Sequence, residues 1–264
     1  MLLVIDIGNT NTSLGVFGGE KLVAHWRLTT ARARTGDEWG VHARNLFALA
    51  GLDFKSIDAV AIASVVPPVN FTLKRMAEVY FHITPLFVDH TIGTGVPILY
   101  QPPSDVGADR IVDAVAAIHK YGAPCIVVDF GTATTFDAIN AAGEYLGGVI
   151  TPGITISSDA LFERAAKLPR VEIKRPEKVI GSTTVEAMQS GLYYGYVGLV
   201  DDILRRMIAE LGGSPRVIAT GGLAPLIAKG SRYVEIVDET LTLEGLRLVY
   251  ERAGTKSSVG AKSL

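Results

Sequence analysis

Two short motifs of the sequence have the composition of phosphate-binding turns. Each follows an apolar run: Asp6-Ile-Gly-Asn-Thr10 in the first half of the chain and Asp129-Phe-Gly-Thr-Ala133 in the second. Glycine lets a backbone approach phosphate closely, and backbone N–H groups in such turns form anion-binding concavities. The aspartates could bind or orient cations that neutralise phosphate charge, because Mg²⁺ prefers oxygen ligands. A single turn of this kind is common in hairpins, but two matched turns predict a facing pair of phosphate loops.

Other glycine motifs point less clearly to a nucleotide. The chain contains no Gly-x-x-x-x-Gly-Lys-(Ser/Thr) loop and no Gly-x-Gly-x-x-Gly after a strand. A P-loop is therefore excluded, and a dinucleotide-binding fold is disfavoured. The third glycine motif, Thr220-Gly-Gly222, follows a predicted strand. It could lie against an adenine ring or only separate a strand from a helix, and the residues alone favour the second interpretation.

The elements that must position the two turns repeat along the chain. In each half, the hydrophobic pattern predicts three short strands in hairpin order and then alternating helices and strands. Gly18-Gly19 and Ala142-Gly143 supply the expected hairpin turns. We interpret the repeat as an internal duplication, with domains over 1–121 and 122–254 and a flexible tail over 255–264; the alternative is one large α/β domain. Each sheet should be mixed and flanked by helices.

Composition restricts the class of protein. The 264 residues include 25 Lys+Arg and 27 Asp+Glu, a net charge of −2, and 48% are hydrophobic. This balance excludes a mainly disordered chain and argues against a general nucleic-acid binder. The single cysteine, Cys125, excludes an internal disulfide framework. Because the N-terminus has no basic leader and no apolar run could span a bilayer, we expect a cytoplasmic protein that does not bind membranes.

Five segments together resemble the type III pantothenate kinase family of the acetate and sugar kinase, Hsp70 and actin superfamily. They are 6–12, 107–110, 129–137, 147–153 and 220–222. The resemblance implies an α/β fold with duplicated actin-like (ribonuclease H-like) domains, each a mixed five-stranded sheet flanked by helices. It also implies ATP-dependent phosphorylation of pantothenate to 4′-phosphopantothenate, the first step toward coenzyme A. A homodimer is implied, as are Mg²⁺ and a monovalent cation such as K⁺ or NH₄⁺.

The same resemblance implies roles for individual residues. Asp109 would be the catalytic base, and Asp129 would hold the monovalent cation. The residues that contact the ATP phosphates would be Asp6, Ile7, Gly8, Asn9, Thr10, Asn11, Thr12, Ser13 and Thr132. The residues that contact pantothenate would be Tyr100, Gly107, Ala108, Asp109, Arg110 and Thr184, with Thr183 as the alternative to Thr184.

The chemistry of these residues fits phosphoryl transfer, which requires mainly positioning and charge stabilisation. Asp109 begins a predicted helix, whose N-terminus favours an ionised carboxylate that can accept a proton; helix capping is the alternative role. Arg110 could pair with the pantothenate carboxylate or stabilise the transferring phosphoryl group. Two other functions stay open: a non-catalytic transcription accessory protein on the same fold, or a kinase for another small hydroxyl substrate.

Overall fold

The computed structural model describes residues 1–260 and divides the chain into two compact units. Unit 1 combines Met1–Ala116 with the C-terminal residues from Leu241 onward, and unit 2 is Ala117–Thr240. The strands are β1 (Leu2–Ile7), β2 (Asn11–Gly18), β3 (Lys21–Thr29), β4 (Ala59–Ser64), β5 (Leu86–Phe87), β6 (Cys125–Phe130), β7 (Ala133–Ile139), β8 (Tyr145–Pro152), β9 (Arg216–Thr220) and β10 (Ile236–Val237). The helices are α1 (Gly36–Leu49), α2 (Pro67–Met76), α3 (Ala108–Tyr121), α4 (Ile154–Arg164), α5 (Thr184–Leu211), α6 (Ala224–Ala228) and α7 (Leu241–Gly260).

The two units have the same sheet topology. The strand order is β3-β2-β1-β4-β5 in unit 1 and β8-β7-β6-β9-β10 in unit 2. The first three strands of each unit pair antiparallel. The fourth strand pairs parallel with the central strand, and the fifth pairs parallel with the fourth. The predicted pair of mixed five-stranded sheets is confirmed. The hairpin turns are confirmed as well, since Gly19 and Gly143 have φ of +62° and +76°.

The duplication extends to the register of the strands. Asp6 of β1 lies opposite Ser13 of β2, and Asp129 of β6 lies opposite Thr135 of β7. Both central strands are buried almost throughout because their residues are apolar on both faces: Leu3, Val4 and Ile5 are 0% exposed. Asp6 and Asp129 therefore occupy equivalent places in the two sheets, as do Thr12 and Thr134. The first turn is one residue longer, because four residues separate Ile7 from Thr12 and three separate Phe130 from Thr134.

Burial also decides the chemistry of the single cysteine. Cys125 is the first residue of β6 and is completely buried. Burial raises the pKa of its thiol to about 12. A thiol in this state carries almost no thiolate at neutral pH and is a poor nucleophile.

Helix α7 differs from the domain boundaries predicted from the sequence, which assigned residues up to 254 to the second domain. In the structure α7 packs on β1, β2 and β4 of unit 1. Its apolar face is buried there through Leu246 and Val249, and Gly245 approaches the carbonyl of Val112 so closely that a Cβ could not fit. The predicted tail from residue 255 continues α7 to Gly260, and 261–264 lie outside the described residues.

Among residues 1–260, no helix has both the length and the apolar composition needed to cross a bilayer.

Candidate active site

The first turn connects β1 to β2 in unit 1. It is closed by a hydrogen bond of 2.9 Å from the N–H of Gly8 to the carbonyl of Asn11. Asn9, Thr10 and Asn11 are exposed, whereas the neighbouring Ile7 is buried. The turn therefore presents polar side chains and backbone groups to solvent from a rigid base, an arrangement that suits a phosphate.

A basic side chain lies against the first turn. Arg32, in the segment after β3, donates a hydrogen bond of 3.0 Å to the Asn9 side-chain oxygen. This bond orients the amide of Asn9 and brings a positive charge to the turn.

Thr12 and Thr30 form a hydroxyl pair beneath the first turn. The Thr12 side chain is 0% exposed, so its hydroxyl faces protein rather than solvent. The Thr30 hydroxyl donates to the carbonyl of Gly8 at 2.7 Å and lies 2.9 Å from the Thr12 hydroxyl. Because Thr30 has one hydroxyl hydrogen, Thr12 is the donor of the bond between them. The N–H of Thr30 also donates to the carbonyl of Thr10 at 2.9 Å.

The N-terminus of α3 lies beside the first turn. Val65 follows β4, and its N–H donates to the carbonyl of Ile7 at 3.0 Å. The same Val65 side chain would lie 3.3 Å from a Cβ placed on Gly107, just before α3. Gly107 and Asp109 are therefore brought to the edge of the sheet where the first turn lies.

The Asp109 carboxylate occupies the space that Gly107 leaves open. A Cβ on Gly107 would collide with Oδ1 of Asp109, so a larger residue there would displace the carboxylate. The same oxygen accepts a hydrogen bond of 2.8 Å from the N–H of Arg110, and the side chain is half-buried. Ala108 and Arg110 are buried, Arg110 to 9% exposure. The helix N-terminus favours the ionised carboxylate at this position.

The second turn connects β6 to β7 in unit 2. The N–H of Gly153 donates to the carbonyl of Thr132 at 3.1 Å, and Thr132 itself is half-buried. Thr134 is the buried threonine of this turn, at 1% exposure. Its hydroxyl is hydrogen-bonded at 2.5 Å to the hydroxyl of Tyr196 from α5. The Tyr196 hydroxyl also bonds the carbonyl of Pro152 at 2.9 Å.

The Asp129 carboxylate lies between two glycines. A Cβ on Gly131 would be 3.3 Å from Oδ2, and a Cβ on Gly221 would collide with Oδ1 and with the backbone of Phe130. Gly221 has φ of +90°, a conformation that favours glycine. Gly221 therefore makes room for the Asp129 carboxylate, in addition to ending β9 as the sequence suggested.

Thr183 and Thr184 have different environments at the start of α5. The Thr183 hydroxyl accepts a hydrogen bond of 3.2 Å from the N–H of Glu186 and is the N-cap of the helix. Glu186 in turn accepts from the hydroxyl and N–H of Ser182, which lowers the pKa of the Glu186 carboxyl. Thr184 is the first residue of the helix and is exposed. Since Thr183 has a capping role, Thr184 is the better candidate for a ligand contact.

Of the remaining predicted site residues, the structure brings Asp6 and Ser13 together. Tyr100 lies half-buried in the irregular segment between β5 and α3 of unit 1. Asp6 and Ser13 are half-buried partners across the first hairpin. Within the described residues, no group of three or more His, Cys, Asp or Glu side chains could hold a metal ion.

Comparison with solved structures identifies the fold class. The activator of the 2-hydroxyisocaproyl-CoA dehydratase from Clostridium difficile aligns with a TM-score of 0.56 at 15% identity, covering 100% of this chain and 98% of its own. A Campylobacter jejuni structure described as a Baf family transcriptional activator aligns at 0.59 with 20% identity, over 96% and 99%. At such identities the comparison shows the fold alone. The protein has the duplicated actin-like architecture predicted from the sequence, with two mixed five-stranded sheets flanked by helices.

Sequence comparison identifies the family within that class. The model of the type III pantothenate kinase family matches residues 2–206. The type III pantothenate kinase of Koribacter versatilis is 58% identical over 262 residues, 96% of each chain. The enzymes of Anaeromyxobacter sp. and Geobacter sulfurreducens are 60% and 59% identical over 252 residues, 96% of this chain and 99% of theirs. The chain belongs to the type III pantothenate kinase family and is a phosphotransferase, as its motifs predicted.

Sequence reasoning missed three contributors near the turns. Thr30 and Arg32 follow β3, and the only signal for them was a cluster of threonine and arginine after a predicted strand. The third contributor, Tyr196, lies in α5 and is distant from both turns in the sequence. The structure places it in the core at 7% exposure, with its hydroxyl bonded to the second turn.

Proposed function

We propose that Asp109 is the general base that takes the proton from the pantothenate hydroxyl as this oxygen attacks the γ-phosphate of ATP. The observation that supports this role is the placement of a half-buried carboxylate at the N-terminus of α3, close to the first phosphate turn. The helix N-terminus holds the carboxylate ionised and able to accept a proton. A positioned base of this kind contributes roughly 10²–10⁴-fold to turnover.

The first turn is the proposed binding site for the ATP phosphates. The half-buried Gly8 and the exposed Asn9, Thr10 and Asn11 provide neutral donors, and Thr132 of the second turn contributes another hydroxyl. Ile7 and Thr12 are buried, which supports a role for these two in shaping the turn. Arg32 adds positive charge at the turn. Mg²⁺ bound with ATP would neutralise the phosphate charge, with Asp6 as the nearest carboxylate of the first turn.

Asp129 is the proposed ligand of the monovalent cation. Its carboxylate is half-buried and lies between the backbones of Gly131 and Gly221, where side chains are excluded. Carboxylate and carbonyl oxygens are the donors that hard cations such as K⁺ prefer. The donor set therefore fits the cation, which would balance negative charge on the nucleotide.

The proposed pantothenate contacts are Gly107, Ala108, Asp109, Arg110, Tyr100 and Thr184. Arg110 is buried and would pair with the pantothenate carboxylate through its planar guanidinium. Tyr100 offers a flat apolar surface with a hydroxyl at its end. Thr184 offers an exposed hydroxyl, since that of Thr183 caps α5.

We also propose that the enzyme is a homodimer that assembles through unit 2. Its edge strand β8 exposes Leu146 and Ile150, the latter at 62%. The loop before α5 exposes Val179 and Ile180. Exposed apolar groups on an edge strand are typical of an interface. Ile150→Asp should give monomers in light scattering, whereas Leu49→Asp, at an even more exposed apolar site of unit 1, should not. A dimer that survives Ile150→Asp contradicts this interface.

The test of the proposed function is ADP release with ATP, Mg²⁺ and each of pantothenate, acetate, glucose and glycerol, with and without K⁺ or NH₄⁺. Only pantothenate should support turnover. Asp109→Asn should lower kcat by at least about 100-fold, with circular dichroism and nucleotide binding unchanged. The matched control is Asp105→Asn, an exposed carboxylate in the same segment. Full turnover in Asp109→Asn would exclude this base, and no turnover with any substrate would favour the accessory-protein alternative.

A further inference from the structure

The two phosphate turns contain one pair of equivalent buried threonines. Thr12 lies opposite Leu28 of β3, and Thr134 lies opposite Thr151 of β8, the third strand of the other unit. Both side chains are almost fully buried, at 0% and 1% exposure. A buried hydroxyl needs a hydrogen-bond partner, because leaving it unpaired costs free energy comparable to a lost hydrogen bond.

The partner of each buried threonine comes from outside the turn. In unit 1 it is the Thr30 hydroxyl, which also bonds the carbonyl of Gly8. In unit 2 the position equivalent to Thr30 is Gly153, because the N–H of each donates to the turn in the same way, at 2.9 Å to Thr10 and at 3.1 Å to Thr132. Gly153 has no hydroxyl, and the missing group is supplied by Tyr196 of α5.

We propose that Thr30 and Tyr196 are positioning residues for nucleotide binding, each holding one phosphate turn in its binding geometry through a buried threonine. This inference rests on the proposed function of the turns. Neither hydroxyl needs to touch the nucleotide. Thr30 holds the backbone at Gly8 and Thr10, and Tyr196 connects Thr134 to Pro152, the residue before Gly153.

The physical basis is pre-organisation. A turn that binds phosphate through backbone N–H groups must hold several of them in one orientation, and any loss of order must be recovered when the ligand binds. In unit 1 the bond to the Gly8 carbonyl fixes the peptide unit that presents the N–H of Asn9. Without the Thr30 hydroxyl, the Thr12 hydroxyl and the Gly8 carbonyl would each need a new partner, and the turn would sample other conformations.

The test compares nucleotide affinity among matched variants by calorimetry with a non-hydrolysable ATP analogue and Mg²⁺. Thr30→Val removes only the hydroxyl and should raise the analogue Kd and the KM for ATP by about tenfold. The KM for pantothenate should not change. Thr30→Ser retains the hydroxyl and should restore affinity. The control is Thr29→Val, at the adjacent exposed position.

Tyr196→Phe is the independent test in unit 2, with Tyr194→Phe on the same helix as its control. Tyr196→Phe should also raise the analogue Kd, by a similar factor, while Tyr194→Phe should leave it unchanged. Phenylalanine fills the same volume, so this variant keeps the test available if Thr30→Val does not fold. Each variant is first checked for its melting temperature, since a purely structural role would lower stability without a selective effect on nucleotide.

The outcomes are distinguishable. If wild type binds the analogue and both Thr30→Val and Tyr196→Phe bind it as tightly as their controls, the inference is wrong while the proposed function stands. If pantothenate and nucleotide constants worsen together and Thr30→Ser restores neither, the roles are structural and the inference is again wrong. If the wild-type protein binds no nucleotide, the proposed function fails and the inference fails with it.

Discussion

The turns after β1 and β6 lie at equivalent places in the two sheets but are supported in different ways. In unit 1 the residue that closes the turn, Thr30, carries the supporting hydroxyl itself. In unit 2 the equivalent residue is Gly153, and a Cβ there would collide with the carbonyls of Gly131 and Thr132. The tighter second turn therefore excludes a side chain, and its hydroxyl comes from Tyr196 of helix α5. Duplicated motifs can thus keep their place in the sheet while the supporting residues move to another element.

The largest expected effect separates the equivalent aspartates of the two turns. Asp129→Ala should abolish activity or its activation by K⁺ and NH₄⁺. The loss of activity should exceed the roughly 10–100-fold that is typical when a residue hydrogen-bonded to a metal ligand is mutated. Asp6→Ala should lower kcat but leave the dependence on monovalent cation intact, because the proposed cation ligand is in unit 2. Turnover is measured against cation concentration. Unchanged cation dependence in Asp129→Ala would refute the assignment.

The next effect concerns the tightness of the second turn. Gly153→Ala should lower the free energy of unfolding by about 3 kcal/mol, because the new Cβ overpacks against two backbone carbonyls. Thr30→Ala, at the equivalent position of unit 1, should cost about 1 kcal/mol through its lost hydroxyl. Urea denaturation measures both. Equal losses at the two positions would show that the turns are not supported differently.

A smaller effect distinguishes the two neighbouring threonines of unit 2. Thr183→Val should reduce stability by about 1 kcal/mol, because the N-cap of α5 is lost. Thr184→Val should leave stability within about 0.5 kcal/mol of wild type and raise the KM for pantothenate. Thermal unfolding and steady-state kinetics measure the two effects. An increase in the KM for pantothenate in Thr183→Val alone would mean that Thr183, and not Thr184, contacts pantothenate.

The smallest effect depends on pH and tests an ion pair of unit 2. Burial disfavours the ionised Asp238, but hydrogen bonds from Lys120 at 2.6 Å and Tyr121 at 2.7 Å outweigh burial and lower the pKa of its carboxyl. Because the folded-state pKa lies below the ordinary value of 3.8, this stabilisation is present above that value and is lost as the pH falls through the folded-state pKa.

Asp238→Asn should therefore melt about 2–4 °C below wild type near neutral pH, with a difference that shrinks as the pH falls below the ordinary carboxyl pKa of 3.8. Its control is Glu239→Gln, at an exposed position beside it. A difference that stays constant over the acid range would mean that the charge of Asp238 does not contribute.

Much of the fold followed from local patterns in the sequence. Apolar runs ending in Asp6 and Asp129 marked the central strands, and the positive-φ glycines of the hairpins marked the turns between them. Helix α7 was assigned to the wrong half, because periodicity shows that a helix has an apolar face but not which sheet that face will cover. In the structure it covers the first sheet.

Family motifs in the sequence marked both turns and the segment with Asp109, since these depend on residue types at short spacing. The supports of the turns were decided by tertiary structure. Thr30 lies 18 residues from Thr12, and Tyr196 lies 62 residues from Thr134. Such bonds leave no local pattern, because any hydroxyl that packing brings to the buried threonine can satisfy it. The sequence alone determined where the turns are, because each follows an apolar strand, whereas packing decided which distant side chains hold them in place.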